Sequence, residues 1–214
     1  MKQLLSLTAA AIAMMSASHS MAASSVDLSV KGSITPAACV PALSGGGVVD
    51  HGKISFKDLN RTGETALPEQ TLQLAVNCDA STLFAVKVTD NRLGSSGEWN
   101  GGPSAFGLGF VNGNVAVGYY SLMMSKSMAD GAPQPVIESV DGQVWFDALD
   151  DQQAWQPGWM RSFKLASGGN IAPMPVQAMQ TDVRVQTMIR DKAGLPASQE
   201  IPIDGNATLD VVYL

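Results

Sequence analysis

Apolar residues recur at every second position in several short runs of this chain. In "TLQLAVNC", Leu72, Leu74, Val76 and Cys78 share one face, with Gln73 and Asn77 on the other. "LFAVKV" groups Phe84, Val86 and Val88 in the same way. "DVRVQTMI" is the cleanest case: Val183, Val185, Thr187 and Ile189 face one side, Asp182, Arg184, Gln186 and Met188 the other. "VDLSVKGSI" brings Val26, Leu28 and Val30 together, and the terminal "NATLDVVYL" aligns Ala207, Leu209, Val211 and Tyr213 against Thr208, Asp210 and Val212. Period-two alternation of this kind predicts half-buried strands. "AFGLGFVNGNVAVGYYSLMM" predicts two strands around Asn112-Gly113, a dipeptide suited to a tight hairpin. Turn residues separate the runs, among them Gly45-Gly46-Gly47, Asp141-Gly142 and Asp204-Gly205. The only helix expected is a short one over "ALDDQQAW", residues 148–155. Many short strands between such turns predict an all-β chain, most simply a β-sandwich. No internal repeat and no linker divides it, so a single domain is expected.

The first 22 residues stand apart from this pattern. Lys2 precedes the uncharged run "LLSLTAAAIAMM", and "SASHSMA" then supplies small residues with Ser20 and Ala22 in a small-x-small order. That is the form of a secretory signal peptide, too short for a membrane span. Cleavage after Ala22 is expected, leaving residues 23–214 as the exported protein. Cleavage removes one lysine and no acid, which leaves 12 basic and 19 acidic residues and a formal charge of −7. No basic patch stands out, so nucleic acid is not an expected partner. Export also changes the meaning of the two cysteines, Cys39 and Cys78. In an oxidising compartment an even count predicts a disulfide. Closing a loop of about 40 residues would contribute roughly 4 kcal/mol.

Candidate chemistry is sparse. His51 is the only histidine beyond the signal segment, and no GxSxG elbow accompanies it, so it is expected to be dispensable. Two cysteines with a single histidine do not make a zinc site. Asp150 and Asp151 read as solvated loop acids rather than a carboxylate pair or a calcium site. Trp99, Trp145, Trp155 and Trp159 read as packing residues rather than a sugar-binding face. No catalytic residue, metal or cofactor is expected.

"GSITPAAC", "LQLAVNC" and a terminal strand with Tyr213 next to last together resemble subunits of chaperone–usher fimbriae (pili). "VKGSITPAACVPALSGGGVVDHGKIS" and "FGLGFVNGNVAVGYY" are similar, more narrowly, to the DUF1120 family, which is associated with such fimbriae in Gram-negative bacteria. The resemblance implies an incomplete immunoglobulin-like (pilin-type) sandwich lacking its final strand, with an enlarged middle region over residues 90–180. It implies an open groove beside the C-terminal strand, with Ala207, Leu209, Val211, Tyr213 and Leu214 at the interface. A periplasmic chaperone fills that groove first, and a neighbouring subunit's N-terminal extension then replaces it. Val26, Leu28 and Val30 form the candidate donor strand here, although few residues precede them after cleavage. The implied partners are the chaperone, an outer-membrane usher and neighbouring fimbrial subunits, and the implied destination is a fimbrium on the cell surface that contributes to cell adhesion. The alternative reading is a carbohydrate-binding tip adhesin, with host or surface glycans as ligands. A periplasmic enzyme on the same scaffold has no catalytic constellation behind it.

Overall fold

Two antiparallel sheets carry the chain from residue 38 onward. The computed structural model describes residues 28–31, 38–97, 102–167 and 169–214. The chain divides into a unit of residues 1–35 and a larger one of residues 36–214. Of the first unit only residues 28–31 are described; Leu28 and Val30 are exposed and in no strand. Val26, the expected signal segment and Trp99 lie outside the described residues.

In chain order the first strands are β1 (Cys39–Leu43), β2 (Thr65–Ala66), β3 (Gln70–Thr82) and β4 (Phe84–Asp90). The middle of the chain supplies β5 (Phe106–Gly107), β6 (Phe110–Val111), β7 (Val115–Ala116), β8 (Gly118–Ala129) and β9 (Ala132–Pro133). It continues with β10 (Val136–Ser139), β11 (Phe146–Ala148), β12 (Ala154–Trp155) and β13 (Met160–Phe163), before β14 (Val176–Ile189) and β15 (Ala207–Tyr213). The first sheet has the order β1-β3-β14-β8-β12, with β2 also on β14 and β5 and β9 also on β8. The second has the order β11-β10-β13-β4-β15, and β6 with β7 forms a separate hairpin. The middle region is therefore no appendage, since it contributes strands to both sheets.

The alternation read from the sequence becomes the core between the sheets. Leu74 and Val76 of β3, Leu122 and Met124 of β8, and Val183 and Val185 of β14 face Phe84, Val86 and Val88 of β4 within one buried cluster. Each large apolar side chain buried in this way contributes about 1.5–3 kcal/mol. β14 alternates from Met179 to Ile189 as the sequence predicts, with odd-numbered residues buried. It begins earlier than expected, at Val176, with a register shift between Val176 and Ala178. Cys39 and Cys78 sit opposite each other across β1 and β3 and are joined by a disulfide, as expected. The second sheet also buries part of its outer face: Ala85, Ile137 and Met160 lie under Trp145, whose indole N–H donates to the Gly142 carbonyl at 3.1 Å.

Two sequence expectations give way in the middle region. Residues 148–155 are not a helix: Ala148 ends β11, a turn follows, and Ala154 opens β12. Asp151 adopts φ 63°, its N–H donates to the Met124 carbonyl, and the Asp150 carboxylate accepts from Ser127. These non-helical bonds compete with any helical ladder. The turn at Asn112-Gly113 exists, with positive φ at both residues, but it joins strands of only two residues each, β6 and β7.

Within the second sheet, a buried ion pair joins the neighbouring strands β10 and β13. Arg161 of β13 donates through Nε and Nη2 to Glu138 Oε2 of β10, at 3.2 and 3.0 Å. Its guanidinium also lies 5.5 Å from the ring centre of Trp155 in β12. Gln153 holds the other Glu138 oxygen and receives a bond from Arg161 on its carbonyl.

Candidate functional site

β15 pairs with β4 alone among the described residues. The phase of that pairing follows from its two ends, where Asn91 N–H donates to the Asn206 carbonyl at 3.0 Å and Leu214 N–H to the Leu83 carbonyl at 3.1 Å. Backbone groups alternate in direction along an antiparallel strand. Residues 206, 208, 210, 212 and 214 therefore bond toward β4. Ala207, Leu209, Val211 and Tyr213 turn their N–H and C=O groups toward the free edge. Ala207, Leu209 and Val211 also pack their side chains against the core and are only partly buried. The same positions thus offer apolar side chains and unpaired backbone, the combination that an added strand would satisfy.

The opposite lip of the opening is β1 and the irregular chain after it. The Asp79 N–H donates to the Ala38 carbonyl at 3.0 Å, which turns Cys39, Pro41 and Leu43 outward from β3. Proline has no N–H to leave unpaired, so it suits an outward position on an edge. At one end the lips meet: the Cys39 N–H donates to the Tyr213 hydroxyl oxygen at 3.0 Å. Tyr213 is otherwise half exposed, as is Leu214, whose side chain lies beside the loop at Gly142.

Beyond that closed end runs a groove made of two consecutive recesses, of about 180 and 440 Å3. Leu43, Val183, Val185, Ala207 and Leu209 line the first, and Ile54, Phe56, Ile189 and Ile201 the second. Val49, His51 and Ile203 belong to the walls of both. Tyr120 also reaches the first recess; burial pushes its phenol pKa upward. The start of β15 is held firmly on the β4 side. Arg92 grips Asp204 through Nε and Nη2 at 3.0 and 2.8 Å, and Asn91 Nδ2 bonds Asn206 and Thr208. The hydrogen bond to Asp204 raises the Arg92 pKa.

His51 lies in this groove. Its Nε2 is 3.0 Å from the hydroxyl of Thr187, and burial lowers its pKa against the opposing charge of Asp50. The remaining sequence candidates are scattered. Asp150 is occupied by Ser127, and Asp151 by Arg184. Trp155 is fully buried and donates to the Trp159 carbonyl; Trp145 is buried and Trp159 half-buried. Among the described residues no group of three or more His, Cys, Asp or Glu could hold a metal ion, and no helix is long and apolar enough to cross a membrane.

Of the terminal residues expected at the groove, Ala207 and Leu209 line its first recess, and no expectation pointed to the opposite wall. Val49, Ile54 and Phe56 stand in "VVDHGKISF", where Gly52 interrupts any sustained alternation. The available signal was an apolar stretch with no strand period between glycines.

The chain aligns along nearly its whole length with two proteins of Escherichia coli (strain K12). It is 28% identical to Protein GltF, over 97% of this chain and 98% of that protein. It is likewise 28% identical to the uncharacterized protein YhcF, over 92% and 94%. Residues 28–104, which include the disulfide and the β1 lip of the groove, match the family described as "Protein of unknown function (DUF1120)".

Proposed function

We propose that this protein is a structural subunit of a chaperone–usher fimbria, exported through the periplasm and assembled by accepting a strand into the groove beside β15. The observation that carries this reading is the free edge of β15, where unpaired backbone and apolar side chains coincide at Ala207, Leu209 and Val211, the first two of which line the first recess. Such an edge is an aggregation hazard unless something covers it. An extended segment with apolar residues at alternate positions satisfies both needs at once: backbone bonds supply affinity and alternation supplies the face.

The strand order supports the same reading. In an immunoglobulin-like sandwich the sheets run A-B-E-D and G-F-C. Here β1, β3, β14 and β8 correspond to A, B, E and D, while β4 and β15 correspond to C and F. The position of G, beside F, is the one that no described strand occupies. β10 and β13 extend the second sheet on the far side of C and leave that position untouched. The candidate donor of a neighbouring copy is the stretch of Val26, Leu28 and Val30, of which Leu28 and Val30 are exposed. A periplasmic chaperone would protect the groove before assembly, and an usher would direct the exchange.

The test is to add a strand in cis. A flexible linker and an alternating apolar peptide are placed after Leu214. Tethering presents the peptide at an effective concentration on the order of millimolar, and each large side chain it buries contributes roughly 1.5–3 kcal/mol. The expected result is a higher Tm and less aggregation than the parent chain. A parent that is a stable monomer with a cooperative high-temperature melt, unchanged by the added strand, would sink the proposal.

A further inference from the structure

Of the β14 residues that floor the groove, one is polar. Along the inward row of β14, Val185 faces the first recess and Ile189 the second, and Thr187 stands between them, 2% exposed. Its hydroxyl meets His51 Nε2, which reaches in from the opposite lip at 3.0 Å. His51 belongs to the walls of both recesses, so the pair sits where they join. The other ring nitrogen, Nδ1, has no hydrogen-bond partner among the described residues. While the groove is open, water serves it. A strand laid along β15 displaces that water, and an apolar side chain over the ring leaves a buried nitrogen unpaired, which weakens binding.

We propose that the strand filling the groove carries a hydroxyl or carboxamide side chain at one inward position, opposite His51 and toward the Ala207 end of β15, and that this contact sets its register. The inference rests on the groove being a strand acceptor. An apolar alternating ladder specifies which face of the occupant turns inward, but a slip of two residues presents the same face again. A single buried polar contact removes that degeneracy, as a lone buried asparagine does in coiled coils. Neutral hydroxyl and amide groups both donate and accept, so they serve either imidazole tautomer. His51, which the sequence marks as dispensable, becomes a specificity residue.

The probes are synthetic peptides of about eleven residues, enough to span β15, with valine at every inward position and a single threonine walked through those positions. Their Kd for the folded, disulfide-bonded chain is read by fluorescence anisotropy. One threonine position is expected to bind roughly tenfold tighter than the all-valine parent, and the others more weakly than it. In His51→Phe that preference should vanish, and in Thr187→Val, which frees the ring to turn, it should shrink severalfold. If peptides bind but the threonine scan is flat, the register role is wrong and the acceptor groove stands. The same holds if either folded variant keeps the preference undiminished, or merely weakens every peptide alike. If no peptide binds the chain, both fail together. Should His51→Phe not fold, His51→Leu carries the same comparison.

Discussion

Arg161 and Glu138 are both buried, and their mutual attraction offsets the loss of water from each. Burial lowers the Arg161 pKa and the neighbouring Glu138 charge raises it. Removing one partner leaves the other as an uncompensated buried charge, which costs about 3–5 kcal/mol. Arg161→Met should therefore lower the urea midpoint strongly, whereas Arg161→Met with Glu138→Leu should recover most of the loss. Equal losses in the single and double variants would show that the pair contributes only through packing. His51 supplies a different residue-scale prediction. Its folded pKa lies below the ordinary 6.5, so the unfolded chain binds the proton more readily. Its contribution is present above that value and is lost as pH falls from about 6.5 through the lowered folded value. Asp50 opposes the shift but does not reverse it. The acid-induced drop in Tm just below pH 6.5 should be smaller in His51→Gln than in the parent. Cys39→Ser should cost roughly 4 kcal/mol on the chain-entropy account, and urea unfolding of the variant checks it.

At the scale of elements, β15 separates two kinds of position that look alike in composition. Leu209 faces the groove, while Thr208 faces out and directs its backbone at β4. Leu209→Lys should abolish the stabilisation by an added strand, a loss of roughly 1.5–3 kcal/mol, and Thr208→Lys should leave it nearly intact. A donor-strand titration of both variants checks the contrast; equal effects would place the occupant elsewhere. β3, β14 and β15 were legible in the sequence because one side of each strand is buried, and period two records that directly. The buried pair was not legible, because "ESV" and "WMRSF" look like solvated charges until β10 and β13 bring them together across 23 positions. The His51–Thr187 contact spans 136 positions and joins an unpatterned loop to a strand, so no local signal announces it. The expected helix over residues 148–155 failed for the opposite reason. Its local composition was permissive, and β11 and β12 took its ends.

On the scale of the whole molecule, the order of strands in space differs from their order along the chain. β3 ends at Thr82, and its neighbour β14 begins at Val176. The two longest strands of the first sheet must therefore wait for each other while roughly a hundred residues are made. At ribosomal speeds that interval is about 5–20 s. Leu72, Leu74 and Val76 exist during that time as an apolar strand without its central partner. The partnership with β1 through Cys39 and Cys78 is available much earlier, because both cysteines precede the long middle region. Chronology thus gives the disulfide a second role beside its effect on the finished fold. Formed as soon as both cysteines reach an oxidising compartment, it staples β1 to β3 before β14 arrives, so that one lip of the groove is in register before the strand that completes its floor.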